Sequence, residues 1–209
     1  MISTFIAAHW LDIVTTILGL AYILLEYKAS AWMWLVGFLM QSLGIVLYYQ
    51  KGLYADCGME FYYLVMTIYG VGCWALGDKL WWKHKDKPAA ALAISHFPRR
   101  LMLPWIMVIL CIWGIIYWLL VTFTNSNVPL ADSFTTALSI MGIWALAHKY
   151  LEQWFIWIAV DVVTCALYFY KDIPFKASLY GLYVVIAVMG YYKWKQMMKE
   201  EKVTCRMCV

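Results

Sequence analysis

The chain has 209 residues, 65% of them hydrophobic and only 13% charged, with a mean hydropathy of +0.72. Soluble domains are about 45–50% apolar and about 25% charged, so an ordinary soluble fold is excluded. A net charge of only +4 gives no basic surface of the size nucleic acid demands, and what remains is an all-α integral membrane protein.

In chain order, apolar runs of about 20 residues per crossing predict seven transmembrane helices. They cover about 7–25, 31–49, 59–77, 101–124, 130–147, 153–170 and 175–193. The first run, MISTFIAAHW onward, lacks a positive leader and stays apolar through Leu25, so it reads as a spanning helix rather than a cleaved signal. EYKAS and QKGLYAD are short polar joints. Residues 78–100 form a basic linker, and Trp81 and Trp82 are expected to lie along the membrane surface. Segment 101–124 is a linker transmembrane helix. The tail, 195–209, is expected to be disordered and reduced, because Cys205 and Cys208 give half of a zinc-site spacing with no second pair.

Charge predicts orientation. With seven crossings, Lys28, Lys79, Lys83, Lys85, Lys87, Arg99, Arg100, Lys149, Lys193, Lys195, Lys199, Lys202 and Arg206 share one side, and only Lys51, Lys171 and Lys176 share the other. By the positive-inside rule the N-terminus is periplasmic and the C-terminus cytoplasmic. Lys51 and Lys171 are expected to snorkel to the outer boundary.

The chain is also read as a duplication. Shifted by 120 residues without gaps, it pairs Asp12 with Asp132, Thr15 and Thr16 with Thr135 and Thr136, Trp34 with Trp154, Tyr48 with Tyr168, Tyr63 with Tyr183, Gly70 with Gly190 and Trp74 with Trp194. Residues 1–77 are thus a first three-helix repeat and 125–194 a second. The unpaired segment between them makes the repeats parallel, a 3+1+3 plan like that of SWEET-type transporters. Such repeats predict a pseudo-two-fold axis along the membrane normal and a midplane substrate site where the halves meet.

Within the membrane, the rare polar residues are the informative ones. Trp154, Trp157 and Asp161 lie at i, i+3 and i+7, on one face of a helix. The shift of 120 places Trp34, Gly37 and Gln41 on the corresponding face. Glu60, Tyr63 and Thr67 match Tyr180, Tyr183 and Ala187 in the same way. Trp10, Trp74, Trp81, Trp82 and Trp194 are read as an interfacial belt, Trp34 and Trp154 as either belt or pocket, and Trp157 as pocket. Asp12 and Asp132 are read as helix N-terminal caps, with Thr15, Thr16, Thr135 and Thr136 bonding their own helix carbonyls. A carboxylate beside tryptophans suits a flat cation. No HExxH, GxSxG, Walker loop or histidine cluster is present, so neither catalysis, metal nor cofactor is expected.

Two stretches complete the reading. YYQKGLYADCGMEFYYLVMTIYGVGCW (48–74) and EQWFIWIAVDVVTCALYFYKDIPFKASLYGLYVVIAVMGYYKW (152–194) resemble the signature regions of PnuC-type vitamin transporters. The likeness rests on LYAD, on YG-x-x-x-W, and on E-x-W-x-x-W-I-x-V-D followed by LY-x-x-K, and it departs from the family at Glu60. The resemblance implies uptake of nicotinamide riboside, a precursor of NAD, across the bacterial inner membrane by facilitated diffusion, in a SWEET-like homotrimer. It makes Trp154, Trp157 and Asp161 the leading substrate contacts, followed by Glu60 and Tyr63. Thiamine, another flat cation, is the competing cargo. A receptor or scaffold that binds without transporting is the reading from a different class.

Overall fold

Inside a bilayer no water pairs with the backbone, so each spanning segment must satisfy its own N–H and C=O groups, which a helix does. The computed structural model describes residues 2–50, 54–76, 92–124, 127–170 and 174–207, with 2–9, 11–13, 15, 54–56, 76, 174–176 and 202–207 described as backbone alone. These residues form seven α-helices in two units. The first unit, Met1–Leu92, contains α1 (Ile2–Tyr27), α2 (Trp32–Gln50) and α3 (Tyr54–Leu76), with α2 packed on both others. The second, Ala93–Val209, contains α4 (Met102–Phe123), α5 (Pro129–Ala147), α6 (Gln153–Tyr170) and α7 (Pro174–Met207). There α6 packs on α5 and α7, while α4 lies against α5.

By length and composition, α2, α4 with its preceding 3-10 turn, α5 and α6 can each cross a membrane. α4 has the highest hydropathy, 2.5, and none of its span is buried within the protein, whereas half of the α5 span is. An all-apolar helix with no buried face needs lipid or another apolar surface around it. One polar tether joins these two: Trp113 Nε1–H donates to Ser133 Oγ at 3.1 Å. Proline opens α5 at Pro129, where the missing N–H costs nothing.

The turns α1–α2 and α5–α6 are copies of each other. Ala29 and Lys149, 120 residues apart, both take positive φ, 49° and 52°. Around them, Ala29 N–H donates to Glu26 O at 2.9 Å and Ser30 N–H to Leu25 O at 3.0 Å. Lys149 N–H to Leu146 O at 2.9 Å and Tyr150 N–H to Ala145 O at 3.0 Å repeat the pattern. This is a Schellman ending, which usually recruits glycine.

Several expectations change. α7 continues as helix to Met207, so residues 195–207 are not disordered. Bonds such as Gln196 Nε2–H to Glu200 Oε1 at 3.0 Å accompany this polar extension. α1 begins at Ile2, which puts Asp12 in the helix interior rather than at a cap. Asp132 lies in the first turn of α5, but the N-cap position is Val128. Thr135 and Thr136 do bond their own helix, Thr136 Oγ1–H donating to Asp132 O at 2.7 Å. Lys51, Lys171, Trp81, Trp82, the basic run 79–87 and Cys208 lie outside the described residues.

Candidate functional site

Each unit is built around the same peg. Trp34 in α2 rests on Gly70 in α3, and Trp154 in α6 rests on Gly190 in α7. A Cβ on either glycine would stand 2.5–2.6 Å from the indole Cζ2. Trp34 meets Trp74 edge-on, with centroids 5.6 Å apart and planes at 88°, and Trp154 meets Trp194 at the same 5.6 Å and 88°. Glycine and tryptophan four residues apart thus form a notch on α3 and on α7 that only a flat ring fills. Trp34 and Trp154 are both 1% exposed. Burial of this kind rules out the belt reading of these two rings and makes them helix-packing residues. Trp74 and Trp194 are also buried and are not belt residues. Trp10, half exposed, suits a belt.

A second contact is repeated with its partners exchanged. In the first unit the ring of Tyr22 (α1) lies over Gly37 (α2), where a Cβ would be 3.1 Å from it. In the second unit the ring of Trp157 (α6) lies over Gly142 (α5), where a Cβ would be 3.2 Å from it. Under the shift of 120, Tyr22 matches Gly142 and Gly37 matches Trp157. The aromatic ring and the glycine have traded helices. The cysteines trade similarly: Cys57 Sγ–H points to Ile45 O at 3.7 Å, and Cys165 Sγ–H to Ala177 O at 3.2 Å.

Polar groups collect beside these exchanged contacts. In the second unit Asp161 is buried, one turn beyond Trp157, and lies within electrostatic reach of Tyr183. Tyr183 meets Tyr180 edge-on at 5.6 Å, and Tyr180 stacks on Tyr168 at 5.3 Å. In the first unit Gln41 Oε1 approaches the Gly37 site beside Tyr22, and Tyr22 is within electrostatic reach of buried Glu26 and of Tyr63. Glu60 lies against Gly44, where a Cβ would be 2.8 Å from its carboxyl carbon. Trp157 Nε1 and Gln41 Oε1 are buried with no hydrogen-bond partner among the described residues. Buried groups of this kind call for a partner, and a ligand hydroxyl or carbonyl can supply one.

Of the residues singled out from sequence, the fold thus gathers Trp157, Asp161, Tyr180 and Tyr183 in one unit. In the other it gathers Gln41 and Tyr63, with Glu60 a turn away on α3. Tyr22, Glu26 and Tyr168 also belong to these groups; the sequence marks Tyr168 only as the repeat partner of Tyr48 and gives no sign of the other two. An apolar groove of about 500 Å³ on the first unit, lined by Trp32, an edge of Trp34, Leu35, Phe38, Thr67 and Ile68 among others, carries no charge and suits acyl chains better than a polar solute. Among the described residues no three His, Cys, Asp or Glu side chains gather in a way that could hold a metal ion.

The chain is similar to known membrane transporters. A family described as nicotinamide mononucleotide transporter matches residues 9–196. The riboflavin/roseoflavin transporter RibM of Streptomyces davaonensis is 25% identical over 198 residues, covering 88% of this chain and 84% of that one. The nicotinamide riboside transporter PnuC of Escherichia coli K12 is 22% identical, also with 88% and 84% coverage. Its namesake in Neisseria mucosa is 24% identical, with 91% and 73% coverage. The crystal structure of a vitamin B3 transporter PnuC superposes with a TM-score of 0.70 at 22% identity, over 95% of this chain and 86% of that one.

Proposed function

The chain belongs to the nicotinamide mononucleotide transporter family, and from that premise we propose that it carries nicotinamide riboside across the bacterial inner membrane. The observation that carries the reading is Asp161, a buried carboxylate in α6 one turn from Trp157 and within reach of Tyr183. A charged side chain at mid-membrane costs about 2.5–3.5 kcal/mol on insertion scales. A pyridinium ring offsets that cost through its positive charge. It can also stack on an indole for about 0.5–2 kcal/mol.

In this reading Trp157 stacks on the ring and Asp161 supplies the counter-charge. Tyr180, Tyr183 and the indole N–H of Trp157 serve the ribose hydroxyls. Gln41, Glu60 and Tyr63, with Tyr22 and Glu26, form the first unit's own polar cluster, which we assign to contacts made during passage. Trp34 and Trp154 hold the helices in position. No catalytic step is required. Transport runs by facilitated diffusion with alternating access. The lysine-rich side faces the cytoplasm, the N-terminus faces the periplasm, and three copies assemble as a homotrimer.

A riboflavin cargo is the second reading, because the Streptomyces davaonensis relative is a riboflavin/roseoflavin transporter. Riboflavin is neutral and gains less from a buried carboxylate. Uptake of labelled nicotinamide riboside into proteoliposomes, with unlabelled riboflavin and thiamine as competitors, separates the readings. Saturable uptake that neither competitor blocks, and that is indifferent to an imposed proton gradient, is the expected result. Binding without uptake would instead identify a receptor.

A further inference from the structure

A short segment of the second unit, Ala93–Pro98, lies across the α5–α6 turn and ties three elements together. Ser95 N–H donates to Lys149 O at 3.2 Å and Leu151 N–H donates to Ser95 O at 2.9 Å, a single parallel bridge. Ile94 N–H donates to Glu201 Oε2 on α7 at 3.2 Å. Both oxygens of Glu152 are used on the same segment: Oε2 accepts from Phe97 N–H at 2.8 Å, and Oε1 lies 2.8 Å from His96 Nδ1. The Phe97 ring closes the joint against Trp105 of α4 and Tyr150, each with centroids 5.2 Å away.

Two observations separate this joint from ordinary packing. First, the fold does not need it. The first unit makes the same turn, bond for bond, yet the shift of 120 puts Trp32 where Glu152 stands and Met33 where Gln153 stands. Trp32 is exposed and has no carboxylate with which to hold a segment. Second, the residue after Glu152 opposes the closed arrangement. Gln153 is 0% exposed, and neither of its amide atoms has a hydrogen-bond partner among the described residues. An enclosed, unpaired amide costs free energy, whereas a carboxylate taking charge-assisted bonds at 2.8 Å returns it. The Glu152 side chain is 37% exposed and that of His96 57%, so the catch can be released without unpacking a core.

We propose that Ala93–Pro98 is a latch on the inner end of α6, and that Glu152 is its catch, a positioning residue that sets how readily α6 moves during transport. Glu152 immediately precedes α6, and Trp154 and Trp157 stand two and five residues beyond it in that helix, so its release frees the end of the helix that bears the peg and the ring-stacking residue. The latch rests on the transport reading above, though not on which vitamin is carried.

The test uses the full chain in proteoliposomes with labelled nicotinamide riboside, alongside equilibrium binding in detergent. With wild type transporting, Glu152→Ala is expected to raise the maximal uptake rate severalfold while leaving Kd within twofold. His96→Ala, which removes one of the two carboxylate contacts, is expected to give a smaller rise in the same direction, and it decides the matter should Glu152→Ala fail to fold. An unchanged or lower rate in the folded variants overturns the latch. Absence of uptake by wild type would overturn the transport reading itself.

Discussion

Trp154 rests on Gly190 so closely that a methyl group there would stand 2.6 Å from its Cζ2, so that the ring or the helix would have to shift. The peg is therefore a tight fit between two helices, and Gly190→Ala is expected to destabilise the protein by about 1–3 kcal/mol, the usual cost of overpacking. Thermal unfolding in detergent checks this. Adding Trp154→Phe to Gly190→Ala should recover part of the loss, since the smaller ring leaves room for the new methyl and the two sites are coupled. A double variant no better than the sum of the two singles would argue against the contact.

The two tryptophans of the α6 motif should separate cleanly. Trp154→Ala removes an enclosed ring and is expected to cost about 3–5 kcal/mol of stability. Trp157→Ala is only partly buried in place and should cost less, yet weaken nicotinamide riboside binding at least severalfold. Parallel melting and binding measurements on both variants distinguish peg from stacker. The opposite pattern would reverse the assignment.

Ala29 holds a left-handed conformation that L side chains disfavour by about 1–2 kcal/mol, and glycine adopts it without that strain. Glycine in turn loses more freedom on folding, about 0.5–1 kcal/mol. Ala29→Gly should therefore stabilise the chain modestly, by up to about 1 kcal/mol, and raise its melting temperature. A fall would mean that the alanine methyl has a packing role that outweighs the strain.

Helix number and the 120-residue register were legible because they rest on signals a sequence carries directly: apolar run length and identical rare residues. The extension of α7 was not, because falling hydropathy after Trp194 marks the membrane boundary and says nothing about where the helix stops. The belt reading of Trp74 and Trp194 failed for a related reason. Position near a helix end suggests an interface, but the glycines at 70 and 190, one turn earlier, cut the notches in which Trp34 and Trp154 lie edge-on to these two rings. Those glycines were visible as a repeated pair; their use was not. Tyr22 was missed because the repeat conserves a ring-on-glycine contact rather than residues, so its two positions read as two mismatches. Only the fold brings Tyr22 over Gly37 and Trp157 over Gly142. Glu152 stood in the recognised motif, but its partners at 96 and 97 are more than 50 residues away, a separation no local pattern reveals.

The central claim is that the buried carboxylate of Asp161 recognises the positive charge of the cargo. Calorimetric titration of nicotinamide riboside into wild type and Asp161→Asn tests it most directly, because the substitution keeps shape and removes charge. The account predicts binding weakened at least severalfold in Asp161→Asn, with riboflavin bound poorly by both proteins. Unchanged nicotinamide riboside affinity in the variant, or tighter binding of riboflavin by wild type, would contradict it.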